Sequence, residues 1–85
     1  MKVRVLFFAA LREQLGVSSE EVEIPGDAST VAALRTLLAR RGGAWESALA
    51  EGKVLRFAVN QDMAALPAKI AAGDEVAFFP PVTGG

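Results

Sequence analysis

The sequence has 85 residues, the length of a single domain, and its composition excludes several classes of function. Apolar residues make up 52%, too high a share for a disordered chain. Nine Lys and Arg stand against ten Asp and Glu, without the clustered positive charge typical of nucleic-acid-binding proteins. Cys, His and Tyr do not occur, so the chain has no thiol nucleophile, no imidazole base and few metal ligands. We expect a globular domain that binds no metal and is not an enzyme on its own.

The first seven-residue apolar run, residues 5–11, is far shorter than the roughly 20 residues that cross a bilayer. Arg12 and Glu13 interrupt it, and no signal-peptide cleavage region follows. We interpret the run as a core strand that leads into a helix, and we expect a cytoplasmic protein.

Alternating and β-branched residues predict a first strand over residues 2–8. Residues 9–15 suit a short helix, which Gly16 would end. Residues 19–24 alternate again and predict a second strand, closed by Pro25. Glu20, Glu21 and Glu23 in this strand are interpreted as a solvated edge.

The clearest helix follows, with Ser29 or Thr30 as its N-cap. It ends at Arg40 and Arg41, which we interpret as cations at a helix terminus rather than as a phosphate site. Its apolar stripe consists of Val31, Leu34, Leu37 and Leu38. Trp45, Ala48 and Leu49 fit a further helical turn or two.

The last third predicts a strand over residues 54–59, a turn at 60–62 and a final strand over 75–79. Residues 63–72 are ambiguous between a brief strand and a loop. Pro80 and Pro81 stop sheet pairing, because proline donates no hydrogen bond to a ladder.

This element order predicts an α+β fold, a four- to five-stranded mixed sheet packed on one main helix. The arrangement that places the last strand beside the first is the ubiquitin-like β-grasp roll, with those two strands parallel and central. We assign residues 1–79 to this domain.

Strand parity divides the sheet into two faces. Arg4 and Glu75 mark the solvent face, because charged side chains are rarely buried without a partner. The helix would cover the opposite face, which holds Val3, Val5, Phe7, Val76 and Phe78. The solvent face would then carry an apolar patch, typical of a protein interface, that consists of Leu6, Phe8, Ala77 and Phe79. Alternatively, loops near Trp45 or Met63 cover this patch.

Residues 80–85, Pro-Pro-Val-Thr-Gly-Gly, form the second predicted unit, an extended reactive tail. The two prolines favour an extended exit from the domain. Gly84 and Gly85 have no β-carbon, so the terminal carboxylate could enter a narrow slot. A carboxylate becomes an acyl donor only after activation, for instance as an acyl-adenylate. Because the chain has no Cys, any sulfur that it carries must be on its terminus.

Stretches spread over nearly the whole chain match those of a known family. They are VLFFA (5–9), Arg12-Glu13 with Gly16, the helix led by Val31 with Ala33-Leu34-Arg35, Trp45 with Leu49, Val59-Asn60 and GDEVAFFPPVTGG (73–85). With these stretches the chain resembles the MoaD family of ubiquitin-like sulfur carriers, which supplies the small subunit of molybdopterin synthase. The terminal motif is the most specific part of this resemblance, and residues 61–72 are the least similar.

The resemblance implies that a ubiquitin-activating-like enzyme uses ATP to adenylate Gly85, which a sulfur-donating enzyme converts to the thiocarboxylate. The chain itself would bind no cofactor. Its tail would enter the large subunit of molybdopterin synthase, in a heterotetramer of two small and two large subunits, and donate sulfur to cyclic pyranopterin monophosphate. The residues that insert would be Pro80, Pro81, Val82, Thr83 and Gly84, and the contact patch would be Leu6, Phe8, Ala77 and Phe79.

Three other functions stay open at this point. A sulfur carrier for thiamine synthesis or transfer-RNA thiolation would use the same terminal chemistry on another acceptor. A ubiquitin-like modifier would join Gly85 to a lysine of another protein. A plain interaction domain would use the patch alone.

Overall fold

A computed structural model describes residues 1–26 and 29–81. It has the predicted order of strands with three helices between them. The elements are β1 (Lys2–Phe7), α1 (Ala9–Leu15), β2 (Ser19–Glu23), α2 (Val31–Ala39), α3 (Gly43–Leu49), β3 (Arg56–Val59), β4 (Asp62–Ala64) and β5 (Glu75–Phe79). Within these two ranges, no helix has the length and apolar character needed to cross a membrane.

The described strands form one mixed sheet in the order β2-β1-β5-β3-β4. The first and last strands, β1 and β5, run parallel side by side, and Val5 lies opposite Val76. The other pairs, β1–β2, β3–β5 and β3–β4, are antiparallel. The predicted β-grasp topology is confirmed, with parallel strands at the centre of the sheet.

The core lies between one face of the sheet and the helices. The sheet contributes the five inner-face residues predicted from parity, each 0–1% exposed, namely Val3, Val5, Phe7, Val76 and Phe78. The α2 stripe contributes Val31, Leu34 and Leu38, all fully buried. Thr30 caps α2, since its Oγ1 accepts a hydrogen bond from the Ala33 N–H at 3.1 Å. Gly16 ends α1 in the left-handed conformation, as predicted.

Several element boundaries differ from the sequence prediction. β1 ends at Phe7, because the chain turns into α1 directly after Phe8. β2 ends at Glu23, and β3 begins at Arg56, two residues later than predicted. Asp62, predicted in a turn, begins β4. The ambiguous region contains this short strand and Ile70, which is 4% exposed and completes the core.

Arg35 is a buried cation that the sequence prediction did not identify. Its side chain projects from α2 and is 7% exposed. Its guanidinium donates hydrogen bonds to the carbonyls of Leu49 (2.9 Å), Ala50 and Lys53 (2.7 Å), and lies over the Phe57 ring. Burial lowers the pKa of Arg35. Three carbonyl acceptors therefore tie the connection between α3 and β3 to α2.

The acidic edge on β2 is only partly the solvated strand edge that the sequence predicted. Arg41 donates two hydrogen bonds to the Glu20 carboxylate, at 2.6 and 2.9 Å. The same guanidinium lies 4.5 Å from the centre of the Trp45 ring. Arg41 thus joins β2 to α3, and the interpretation of Glu20 as merely solvated is wrong because the fold brings this cation to it. Glu21 and Glu23 are exposed.

Candidate functional site: an apolar groove on the outer face of the sheet

The site begins with a row of apolar side chains across the outer face of the sheet. Leu6 on β1 lies opposite Ala77 on β5, Ala77 lies opposite Ala58 on β3, and Ala58 lies opposite Met63 on β4. Side chains alternate between faces along a strand, so these four residues share the face away from the helices. Two alanines at the centre and longer side chains at the ends make this row concave.

Residues beyond the strand ends extend the row into a groove of about 920 Å³. All four residues of the predicted patch line it, as do the first two residues of the predicted tail. The full lining consists of Leu6, Phe8, Ala9, Ala58, Gln61, Met63, Glu75, Ala77, Phe79, Pro80 and Pro81. The structure therefore brings together the domain surface and the start of the tail.

Exposure differs among the predicted patch residues. Phe8 is 46% exposed, whereas Leu6 and Phe79 are half-buried. Ala77 is only 9% exposed, but it lies on the predicted outer face and lines the groove. It lies on the central strand, between Leu6 and Ala58, and its short side chain forms the floor of the groove.

Met63 is the main apolar residue that sequence reasoning did not place in the site. It is 66% exposed and lines the groove. The alternation of β3 could have identified it. Phe57 points to the core, so Ala58 points outward, and the hairpin places Met63 across from Ala58.

The alternative interpretation, that the region near Trp45 covers the patch, is wrong. Its ring packs against Phe7 with the centroids 5.4 Å apart, on the core side of the sheet. Met63, the other candidate cover, lines the groove instead of closing it. Within residues 1–26 and 29–81, neither of these two side chains closes the groove.

A tight turn positions Met63. Asn60 and Gln61 connect β3 to β4 with φ angles of 49° and 71°, the pattern of a two-residue hairpin turn that favours Asn at its first position. The Asn60 side chain also bonds to β5 and the residue before it. Its Nδ2 donates to Asp74 Oδ1 at 3.1 Å, and its Oδ1 accepts the Glu75 N–H at 3.0 Å. The hairpin is therefore fixed to the central strand at the end of the groove.

Charged residues border the apolar floor. Arg4 lies opposite Glu75 in the strand register, and Arg56 lies opposite Phe79. An apolar centre with a charged rim is the usual anatomy of a protein interface. In the part of the chain that the structure describes, no cluster of three Asp or Glu side chains could hold a metal ion. The geometry suits the binding of another protein.

The predicted reactive terminus lies outside the described residues. Val82, Thr83, Gly84 and Gly85 belong to that part of the chain, so their roles stay predictions, as does the division between residues 79 and 80. Pro80 and Pro81 are described, and both contribute to the groove.

Comparison with known proteins identifies relatives along nearly the whole chain. The sulfur carrier subunit of molybdopterin synthase from Escherichia coli is 47% identical over 83 residues, covering 98% of this chain and 99% of the relative. The subunit of the same name from Haemophilus influenzae is 46% identical with the same coverage. The crystal structure of SAMP1 (small archaeal modifier protein 1) from Haloferax volcanii superposes with a TM-score of 0.81 at 33% identity, covering all of both chains.

The family model described as the ThiS family matches residues 5–85. This match includes the second half of β1, the other four strands, the three helices, the groove and the terminal Gly-Gly sequence. The resemblance to sulfur carriers that the sequence indicated is confirmed, and the chain belongs to the ThiS family.

Proposed function

We propose that this chain is the sulfur carrier subunit of molybdopterin synthase. The observation that carries the proposal is the groove beside the start of the tail, in a chain 46–47% identical to two subunits of that name. The groove would hold the domain on a partner, and the residues after Pro81 would deliver the terminal carboxylate to the partner's active site. The chain thus supplies a binding surface and an acyl terminus.

The terminal chemistry needs enzymes other than this chain. The Gly85 carboxylate attacks the α-phosphorus of ATP in an activating enzyme, which gives the acyl-adenylate and releases pyrophosphate. A hydrosulfide ion supplied by a donor enzyme then attacks the acyl carbon and displaces AMP, which leaves a thiocarboxylate. In the large subunit the sulfur passes to cyclic pyranopterin monophosphate, and water restores the carboxylate. We propose that the chain contributes no acid, base or bound cofactor to these steps.

The partner proposed for the groove is the large subunit, in an assembly of two small and two large subunits. The apolar floor and the exposed ring of Phe8 support a stable contact, because desolvated aromatic side chains contribute most of the affinity at protein interfaces. The activating enzyme is a second partner, which must reach the same terminus.

A second candidate function is protein modification, and the structural likeness to SAMP1 is the observation that favours it. Both functions begin with activation of Gly85, and they differ in the acceptor. A modifier would leave Gly85 in an isopeptide bond to lysines of other proteins. Trypsin cleaves after Lys69, the last Lys or Arg of the sequence, so a lysine modified by this chain would carry residues 70–85. Mass spectrometry of lysates for this remnant on lysine distinguishes the two functions.

Binding of the large subunit to three forms of the chain tests the proposed contact. We expect Phe8→Asp to lower the affinity by about 2 kcal/mol or more, because it places a charge in the apolar groove. Val54→Asp is the matched control. Val54 is 69% exposed and does not line the groove, so this variant should bind like the unmodified chain. Isothermal calorimetry with purified large subunit measures both.

Circular dichroism of each variant confirms that the fold is kept. Equal affinity of the Phe8→Asp variant and the unmodified chain would show that the groove is not the docking surface. A large loss of affinity in the Val54→Asp variant would show that the interface lies outside the groove.

A further inference from the structure

Ala9, in the wall of the groove, has a backbone conformation that is uncommon for alanine. Its φ is 55°, in the left-handed region where the Cβ of an L-residue crowds the neighbouring carbonyl. The only other non-glycine residues with positive φ in the described ranges are Asn60 and Gln61. The two-residue hairpin turn requires positive φ at those two positions, whereas Ala9 lies in no hairpin.

The backbone is held on both sides of Ala9. Phe8 is extended, with φ −122° and ψ 157°, and its N–H donates to the Phe78 carbonyl at 3.2 Å. The Phe8 carbonyl accepts the Leu11 N–H, also at 3.2 Å. Leu11 is 4% exposed and anchors α1 in the core. The chain therefore passes from the sheet to the buried helix through one residue.

Strand alternation puts the Phe8 ring on the outer face, and the passage into α1 follows directly after it. With Ala9 in the left-handed region, α1 turns toward the core face, and the ring of Phe8 stays on the outer face at 46% exposure. Strained backbone that persists in a native structure is typical of sites where the geometry serves a function. The strain here lies beside the most exposed aromatic residue of the groove.

We propose that the left-handed conformation of Ala9 positions the Phe8 ring for docking to the partner. Ala9 is thus a positioning residue that acts through Phe8. This inference rests on the proposed function, because the docking partner is the large subunit. It also implies that the isolated domain is less stable than it would be with an unstrained residue at this position.

The cost is measured on the isolated chain, without a partner. Glycine adopts positive φ without strain, so we expect Ala9→Gly to raise Tm by about 4–8 °C. A lower Tm for Ala9→Gly would show that the position stores no strain and would overturn the inference.

The link to Phe8 is measured by a double-mutant cycle with the large subunit. Valine is β-branched and strongly disfavoured at positive φ, so we expect Ala9→Val to move the ring and weaken binding at least about tenfold. In the Phe8→Ala background, the same substitution should weaken binding less than about twofold, because the ring through which it acts is absent. If Ala9→Val does not fold, Ala9→Leu, which is unbranched at Cβ, replaces it in the cycle.

If Ala9→Val lowers the affinity equally with and without the Phe8 ring, Ala9 does not act through Phe8. Unchanged binding of Ala9→Val in the presence of the ring would contradict the inference as well. Failure of the unmodified chain to bind the large subunit would instead contradict the proposed function, and the Tm of Ala9→Gly would still report the strain.

Discussion

At the scale of single residues, Arg35 shows how a buried charge can be structural rather than catalytic. Its three carbonyl acceptors come from the end of α3 and the connection that leads to β3. That connection has no regular hydrogen-bonded structure of its own between Lys53 and Leu55. The guanidinium satisfies these carbonyls inside the fold, where an unpaired polar group would be costly.

Replacing Arg35 tests this role. We expect Arg35→Met to lower the free energy of unfolding by about 3 kcal/mol, because one buried and two partly buried carbonyls lose their donor. Arg40→Met is the control, since Arg40 is exposed, and it should change stability by less than about 0.5 kcal/mol. Urea unfolding followed by circular dichroism measures both, and equal effects would show that the hydrogen bonds of Arg35 contribute little.

Strand parity predicted which residues of β1 and β5 face the core, because charged and apolar side chains alternate with period two. The sequence did not predict the burial of Arg35. The apolar stripe of α2 does not show that carbonyls of the later connection between α3 and β3 converge on this position. Nor did the sequence predict the positive φ of Ala9, because alanine carries no local signal for the left-handed region.

At the scale of elements, the β3–β4 hairpin depends on Asn60 in two ways. Asn60 tolerates the left-handed conformation, and its side chain bonds to Asp74 and Glu75. The sequence predicted a turn here, but the length of β4 was ambiguous because three residues carry too little periodicity to be recognised.

Two substitutions separate these contributions. Asn60→Gly keeps the backbone conformation and loses the side-chain hydrogen bonds, so we expect it to lower the free energy of unfolding by about 1 kcal/mol. Asn60→Ala also strains the turn, so it should cost about 1 kcal/mol more. Chemical unfolding measures the difference. If alanine and glycine are equivalent, the left-handed conformation does not constrain this hairpin.

The link between β2 and the helical layer makes stability depend on pH. The hydrogen bonds from Arg41 lower the pKa of Glu20 below its ordinary value of 4.5. A lowered folded-state pKa means that the ion pair stabilises the fold above the ordinary pKa and is lost as the pH falls through the folded value. Both side chains are about one-third exposed, so solvent limits the contribution to about 1 kcal/mol.

We therefore expect Glu20→Gln to be less stable than the unmodified chain at pH 7, and we expect this difference in stability to be smaller at pH 3. Glu21→Gln, at the exposed neighbouring position, is the control and should change stability little at either pH. Urea unfolding at the two pH values measures these differences. A deficit of Glu20→Gln that is as large at pH 3 as at pH 7 would show that packing, not charge, accounts for it.

At the scale of the whole molecule, the two faces of the sheet have different roles. The inner face and the helices make the core, and the outer face presents the groove that ends at Pro80 and Pro81. The topology was predictable, because it follows from the order of the helices and strands that the sequence pattern clearly indicates. The concavity was not, because it depends on Ala58 and Met63 meeting Ala77 across three strands.

The central claim is that the terminal carboxylate of Gly85 carries the sulfur. Deletion of Gly85 leaves every groove residue in place, so binding to the large subunit should be nearly unchanged. The deletion shortens the reach by at most about 3.6 Å, whereas misplacement by about 1 Å can cost on the order of a hundredfold in rate. Gly84→Ala keeps the reach and tests instead whether a β-carbon fits the slot that receives the terminus.

The most direct measurement combines intact-mass spectrometry with sulfur transfer. The unmodified chain and the chain without Gly85 are each incubated with activating enzyme, ATP and a sulfur source, and then with the large subunit and the pterin substrate. We expect the unmodified chain to gain the mass of one oxygen-to-sulfur exchange and to support product formation, whereas the shortened chain binds the large subunit but transfers no sulfur. Full sulfur transfer by the chain without Gly85 would contradict the account.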